Sequence, residues 1–317
     1  IATLSRLGTT DPAKQVEAIK LAKQLSDDNP KDLLSNQIYA SLLLYTGLKQ
    51  DVNKSLTELK ALVKNHNTDP ILHLDLARAY FFLNQQDEAL AEALEAVRLK
   101  PNLGPARSIA ARIYEDRGQH GKALEQTEIV LAGDKNNAEA RLTKDRALAG
   151  LKEFDKALPD LELLQQQFPT YNDALYELGN VYVELHNPQK AQAVYQKLWE
   201  GTGPNVKPDI RGFLGLQTLK MQEGKWQDAV AALRDLVQKN PKTLTFRYTL
   251  ANFQARAAAG MPGSDPQRKT LLQDAANNYQ EILKTTANSS DVWLRLGSTQ
   301  QLLGQNDAAL ASYEQAS

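Results

Sequence analysis

The chain has 317 residues, a formal net charge of −1 and no cysteine. That balance leaves no global basic footprint for nucleic acid or acidic membranes, and the missing thiol excludes a disulfide framework, a Cys-type zinc site and a Cys nucleophile. No apolar run approaches the roughly 20 residues of a membrane span, so a soluble segment that does not itself insert into a membrane is expected, with cytoplasm and periplasm both open.

The chain opens on a partial unit, residues 1–35, in which Asp11-Pro12 reads as an N-cap followed by Pro at the first helical position. Complete helix-turn-helix units start at Asn36, Pro70, Gly104, Ala138, Asn172, Ile210 and Leu244, and a truncated one occupies 290–317. Asp69-Pro70 and Asn187-Pro188 repeat the cap signal, and Gly118, Gly224 and Gly304 fall where a helix end needs a left-handed residue. Between the units from Asn172 and Ile210, "GTGPNVKPD" (201–209) adds four residues. Inside the unit from Leu244, "AAAGMPGSDPQRKT" (257–270) adds twelve, and its Gly, Pro and Ser predict a loop insertion. That insertion is either a tolerated surface feature or a lobe that touches a partner. A start without Met at "IATLSRLG" and an end in mid-pattern at "ALASYEQAS" read as a piece of a longer protein.

The unit boundaries follow from a period. Ala89, Ala123, Ala157 and Ala191 stand 34 residues apart, and Ser55 lies 34 before Ala89. Within one unit Leu175, Leu178, Gly179 and Tyr182 keep i, i+3, i+4, i+7 spacing, and Ala191, Tyr195 and Leu198 follow on a second helix. The small residues let two helices approach while the aromatics and Leu fill the space around them. A large side chain at Gly179 is therefore expected to damage the fold.

The stretches "LYELGNVYVELHNPQKAQAVYQKL", "WLRLGSTQQLLGQNDAALASYEQA" and "LHLDLARAYFFLNQQDEALAEALEAVRLKP" resemble the tetratricopeptide repeat (TPR), with Leu-Gly at the seventh and eighth positions, Tyr at the eleventh, Ala at the twentieth and an aromatic at the twenty-fourth. The resemblance covers essentially the whole chain. It implies an all-α fold, a right-handed α-α superhelix, running as a single solenoid over 1–317, with a concave groove lined by the first helices. Some units depart from the pattern. The fourth position is Arg107, Arg141 and Arg247 in three of them, and Lys144-Asp145 replaces Leu-Gly, so the unit from Ala138 is expected to pack its first helix less well.

If the fourth, seventh, eighth and eleventh positions face the core, the second, fifth, ninth and twelfth form a neighbouring stripe, which the resemblance turns towards the groove. The ninth position reads Leu44, Arg78, Arg112, Arg146, Asn180, Thr218, Asn252 and Ser298, and the fifth includes Tyr176 and Tyr248. The candidate peptide-binding residues are thus Arg78, Arg112, Arg146, Tyr176, Asn180, Thr218, Tyr248 and Asn252. Three consecutive guanidinium groups repel unless paired. Asp75 can neutralise Arg78, and Glu115 or Asp116 can neutralise Arg112, each on its own helix. Arg146 has no local acid and needs either a ligand carboxylate or an acid of a neighbouring unit such as Asp116. The row is thus either internally paired or an anionic subsite. The known TPR clamp for a C-terminal carboxylate finds no match in three consecutive units.

No catalytic constellation appears. His66, His73, His120 and His186 share no metal-ligand spacing and read as scattered surface residues, "GQHGKA" (118–123) lacks the features of a phosphate loop, and no Ser/His/Asp set can be argued. No cofactor, metal or nucleic acid is expected, and the segment is not expected to be an enzyme. The leading reading is a protein-interaction scaffold that holds an extended peptide or partner segment in the concave groove. The alternative is an architectural or tethering module of a larger bacterial secretion or envelope-assembly protein; Gln richness and the absence of Cys favour a bacterial source.

Overall fold

The computed structural model describes residues 12–201 and 208–317. Asp11 and most of the 201–209 segment lie outside the described residues, and with them the first expected cap and part of the four-residue addition. Among the described residues the secondary structure is entirely helical: α1 Pro12–Asp28, α2 Leu33–Leu44, α3 Lys49–Val63, α4 Pro70–Phe82, α5 Gln86–Leu99, α6 Gly104–Asp116, α7 His120–Gly133, α8 Ala138–Gly150 and α9 Phe154–Gln167. There follow α10 Asn172–Glu184, α11 Pro188–Glu200, α12 Ile210–Gln222, α13 Trp226–Lys239, α14 Leu244–Ala259, α15 Pro266–Leu283, α16 Ser290–Leu302 and α17 Asn306–Ala316. None is long and apolar enough to cross a membrane. The helices fall into two compact units, residues 1–181 and 182–317. Both have the all-α, α-α superhelix type of fold, in which helical hairpins stack.

Local chemistry sets the helix ends. The carboxylate of Asp69 accepts from the Ile71 amide ahead of Pro70, Asn187 accepts from Lys190 ahead of Pro188, and Asn137 accepts from Ala140, each satisfying a donor that the first turn leaves open. Asp32 caps α2 through the Ser35 amide, so that helix begins at Leu33, three residues before Asn36. Most hairpin turns close the same way. The amides of Gln85, Gln119, Glu153, Asn187, Lys225 and Gln305 each reach back to a carbonyl five residues earlier, at 2.8–2.9 Å. This closure requires a left-handed residue just before the donor. Gly118, Gly224 and Gly304 supply it with φ of 67°, 77° and 76°, but Asn84, Lys152 and His186 supply it elsewhere with φ of 58°, 62° and 55°.

In the first unit each first helix packs on its own second helix, each second helix packs on the next first helix, and α2, α4, α6 and α8 also touch in succession. Ala77, Ala93, Ala110, Ala123 and Ala147 form small-residue contacts, and Leu59, Leu72, Leu76 and Ile113 fill the remaining core. In the second unit the approach is closest at Gly212, where a Cβ would lie 2.5 Å from the backbone N of Trp199 and 2.5 Å from the carbonyl O of Tyr195. Gly215 and Gly297 similarly lie against the rings of Tyr195 and Tyr313. Gly179, at the same eighth position as Gly297, is buried.

Three expectations need correction. The 257–270 stretch is not a loop throughout: α14 continues to Ala259 and α15 starts at Pro266, leaving 260–265 as the turn. Its Ala run extends one helix, and Asp265, which caps through the Gln267 amide, starts the next with Pro266 in the first turn. The helix from Ala138 is not loosely packed: Ala140, Leu142, Ala147 and Leu148 are buried, and so is Arg141. His73 is not a surface residue; it is buried and bonded to Glu92 Oε2 at 2.6 Å and to the Asn67 carbonyl at 3.0 Å.

The last two corrections share one cause. His73–Glu92, Arg107–Gln126 and Arg141–Asp160 are each a hydrogen bond across 19 residues, from the fourth position of a first helix to the second helix of the same hairpin. Arg247 reaches Asn278 across 31, the insertion accounting for the difference. A polar rung thus replaces apolar packing at that level, and its partner satisfies the buried donor.

Candidate functional site: a groove along the first helices

The first unit has a cavity of about 1220 Å³ along α4, α6 and the start of α8. Its apolar wall includes Tyr45, Phe81, Phe82, Ile109 and Ile129, of which Phe82 and Tyr45 are about half exposed. Arg78, Arg107, Arg112 and Glu139 bring charge to the same space. Phe81, Ser108, Arg112 and Glu139 occupy the twelfth, fifth, ninth and second positions of their units, so the stripe named from the period lines the cavity. Sequence reasoning singled out only the ninth and fifth positions; applied to the second and twelfth, the same register contains Glu139 and Phe81.

The three arginines have different surroundings. Arg78 bonds Asp75 at 2.9 Å on its own helix, and Asp75 is buried and also accepts from Ser41 Oγ at 2.5 Å. Burial pushes the Asp75 carboxyl above its usual range, while Ser41 and Arg78 pull it back. Arg112 does not use Glu115 or Asp116. It bonds Glu139 of the next repeat at 3.0 Å and lies over the Phe81 ring, 4.9 Å from its centroid. Arg146 bonds Glu177 of the following repeat at 2.9 Å rather than Asp116, and Glu177 also accepts from Asn180 at 3.3 Å. Arg146, Glu177, Glu115 and Asp116 line a separate cavity of about 480 Å³, where burial pushes the Glu115 carboxyl up and Arg146 opposes the shift. Tyr176 is half-buried in the same repeat.

The other candidates, Thr218, Tyr248 and Asn252, belong to the second unit. Thr218 Oγ1 donates to the Leu214 carbonyl at 3.0 Å on its own helix. Asn252 accepts from the Tyr279 hydroxyl at 2.6 Å. The Tyr248 hydroxyl donates to Asp291, the Tyr248 ring carries the Arg295 guanidinium at 5.4 Å, and Tyr248 lines a cavity of about 610 Å³ with Thr245 and Asp291. The Tyr248 hydrogen bond holds the Asp291 carboxyl below its usual range.

One tetratricopeptide repeat family model matches residues 72–103 and 290–317, and a second matches 173–200 and 217–243. The chain is a tetratricopeptide repeat protein. Solved structures agree on the fold. A TPR protein from Parabacteroides merdae is 16% identical, with a TM-score of 0.58 over 78% of this chain and 91% of that one. YrrB, described as a TPR protein with an unusual peptide-binding site, is 19% identical with a TM-score of 0.51 over 62% and 97%. The human IFIT1 dimer with m7Gppp-AAAA is 17% identical with a TM-score of 0.54 over 96% and 76%. No curated protein matches the chain significantly. TPR arrays generally serve as protein-interaction scaffolds, and this one presents the open, side-chain-lined surface that such a role uses.

Proposed function

We propose that this TPR protein holds an extended segment of a partner protein in the concave groove of its first unit, with Arg78, Arg112 and Arg146 along the groove floor and Asn180 and Tyr176 beyond them. Within the second unit, Thr218, Tyr248 and Asn252 hold the ninth and fifth positions of their own repeats. The observation that carries the reading is the cavity of about 1220 Å³, which joins exposed aromatic surface to hydrogen-bonding groups on consecutive first helices. Exposed apolar surface collected in a concavity marks a binding site more than scattered exposed side chains do. YrrB supports a peptide occupant by analogy of fold. The IFIT1 structure raises a nucleic-acid occupant, which a formal net charge of −1 does not favour.

A peptide-display selection against the intact chain, followed by anisotropy titration of the selected sequence, tests the proposal. Phe82→Ser, at a half-exposed position, is expected to weaken binding about tenfold without altering the melting temperature. Leu310→Ser, exposed in the second unit, is expected to change nothing. A selected peptide indifferent to Phe82 refutes the assignment of the groove.

A further inference from the structure

Resting on that groove, a more specific reading concerns the chemistry of its occupant. Among the three ninth-position arginines only the Arg112–Glu139 pair is open on both sides, with side-chain exposures of 47% and 58%; Asp75 opposite Arg78 is 3% exposed and Glu177 opposite Arg146 is 18% exposed. An ion pair so exposed holds its partners weakly. Two further facts make Glu139 dispensable to its neighbours. It sits in the first turn of α8, where the helix dipole stabilises a carboxylate without help from Arg112. Arg112, for its part, stays oriented by stacking on Phe81 when Glu139 swings away. The second cation on the same helix, Arg107, is half-buried and meets no acid among the described residues. Arg107 bonds only neutral oxygens, the Pro101 carbonyl at 2.7 Å and Gln126 Oε1 at 2.5 Å. A guanidinium without a carboxylate partner at the edge of an apolar cavity favours an incoming anion.

We propose that Glu139 stands in for a ligand carboxylate, and that the groove selects an internal, extended protein segment presenting a large apolar side chain flanked by acidic ones. The apolar side chain packs between Phe82 and Ile129. One flanking carboxylate displaces Glu139 from Arg112, and another meets Arg107. Arg78, committed to buried Asp75, supports the fold and takes no part in selection.

The probe is an acetylated and amidated Ser-Gly peptide with Glu-Phe-Glu at its centre, compared with Gln-Phe-Gln, Lys-Phe-Lys and Glu-Ala-Glu versions. A version ending in a free carboxylate and m7Gppp-AAAA itself are added as rivals. The Glu-Phe-Glu peptide should bind about tenfold more tightly than its Gln version, with the gap closing in added salt. Arg112→Gln should reduce that preference to about threefold, the part that Arg107 carries. Glu139→Gln should tighten binding about threefold, because the internal competitor is gone. Both variants should melt as the parent protein does. Equal binding of all charge versions refutes the inference and leaves the groove reading standing. Weaker binding by Glu139→Gln, or a requirement for the free terminus, also refutes it. Tighter binding of m7Gppp-AAAA than of any peptide, or no peptide binding at all, removes both readings.

Discussion

Gly212→Ala tests the helix packing at a point where one helix lies directly against the backbone of another. The added methyl would lie 2.5 Å from the Trp199 amide nitrogen and 2.5 Å from the Tyr195 carbonyl oxygen, both backbone atoms of α11. Carbon contacts settle near 3.5 Å or beyond, so α12 must retreat by roughly 1 Å. No rotamer change relieves the clash, because neither obstacle is a side chain. The retreat would loosen the Trp199–Phe213 ring contact, now 5.2 Å between centroids. Overpacking of this kind costs about 1–3 kcal/mol, and backbone opposition puts Gly212 near the top of that range. Replacing a helical Gly by Ala returns about 0.5–1 kcal/mol. The net expectation is a loss of about 1–2 kcal/mol, or about 3–8 °C in melting temperature for a unit of this size. Gly121→Ala is the control: nothing lies near a Cβ there, so only the propensity gain of about 0.5 kcal/mol applies. Thermal and urea unfolding followed by far-UV circular dichroism read both. A Gly212→Ala protein as stable as the parent would refute the helix approach described for α11 and α12.

Three further outcomes are expected. Asp145 is fully buried with neither carboxylate oxygen hydrogen-bonded, and burial, then the charge of Asp160, pushes its carboxyl up to about 8. Because the unfolded group titrates near 3.9, the unfolded chain loses its proton first, so stability should fall as pH rises from about 4 to about 8 and level off above. Asp145→Ala, the residue at the same position in the two preceding repeats, should flatten that slope in urea titrations and raise stability at pH 8; an unchanged slope contradicts the assignment. Lys152→Gly should raise the melting temperature, since a left-handed Lys costs about 1–2 kcal/mol and Gly returns about half of that in entropy; a lower melting temperature contradicts the strain argument. Arg78→Ala should cost about 2 kcal/mol or more, because it leaves Asp75 buried with only Ser41, whereas Arg112→Ala should cost under about 1 kcal/mol; equal costs in urea unfolding would show that the two pairs are equivalent.

The period shows which face of each helix looks inward, because burial of an apolar stripe repeats with the helix. It therefore located the starts from Pro70 to Ser290 and the left-handed turns at Gly118, Gly224 and Gly304. It did not show which acid a long side chain chooses. Arg112 has carboxylates three and four residues away on its own helix, yet Glu139 is the one it bonds, across a contact that exists only after the hairpins stack. The rung from His73 to Glu92 was hidden for a similar reason. Its signal, a polar fourth position matched by a polar residue 19 later, is legible only by comparing both helices of several hairpins at once. The insertion was misjudged because Gly and Pro mark helix ends as readily as loops, and Asp265-Pro266 is a start signal.

Under the proposed reading, the arginine row is how a repeated scaffold acquires a particular function. Stacking places the ninth position of every hairpin in an equivalent slot, so the backbone alone treats Arg78, Arg112 and Arg146 alike. What differs is the depth of the acid each one meets: 3% exposed at Asp75, 58% at Glu139 and 18% at Glu177. A buried acid that has lost its solvent makes its arginine indispensable to folding and unavailable to a ligand, because separating the pair strands a charge. An exposed acid is already hydrated, so exchanging it for an incoming carboxylate changes little in the free protein and leaves the binding energy for the partner. On the proposed role, selectivity in this groove would depend less on how many arginines line it than on which of them has a partner that water can replace.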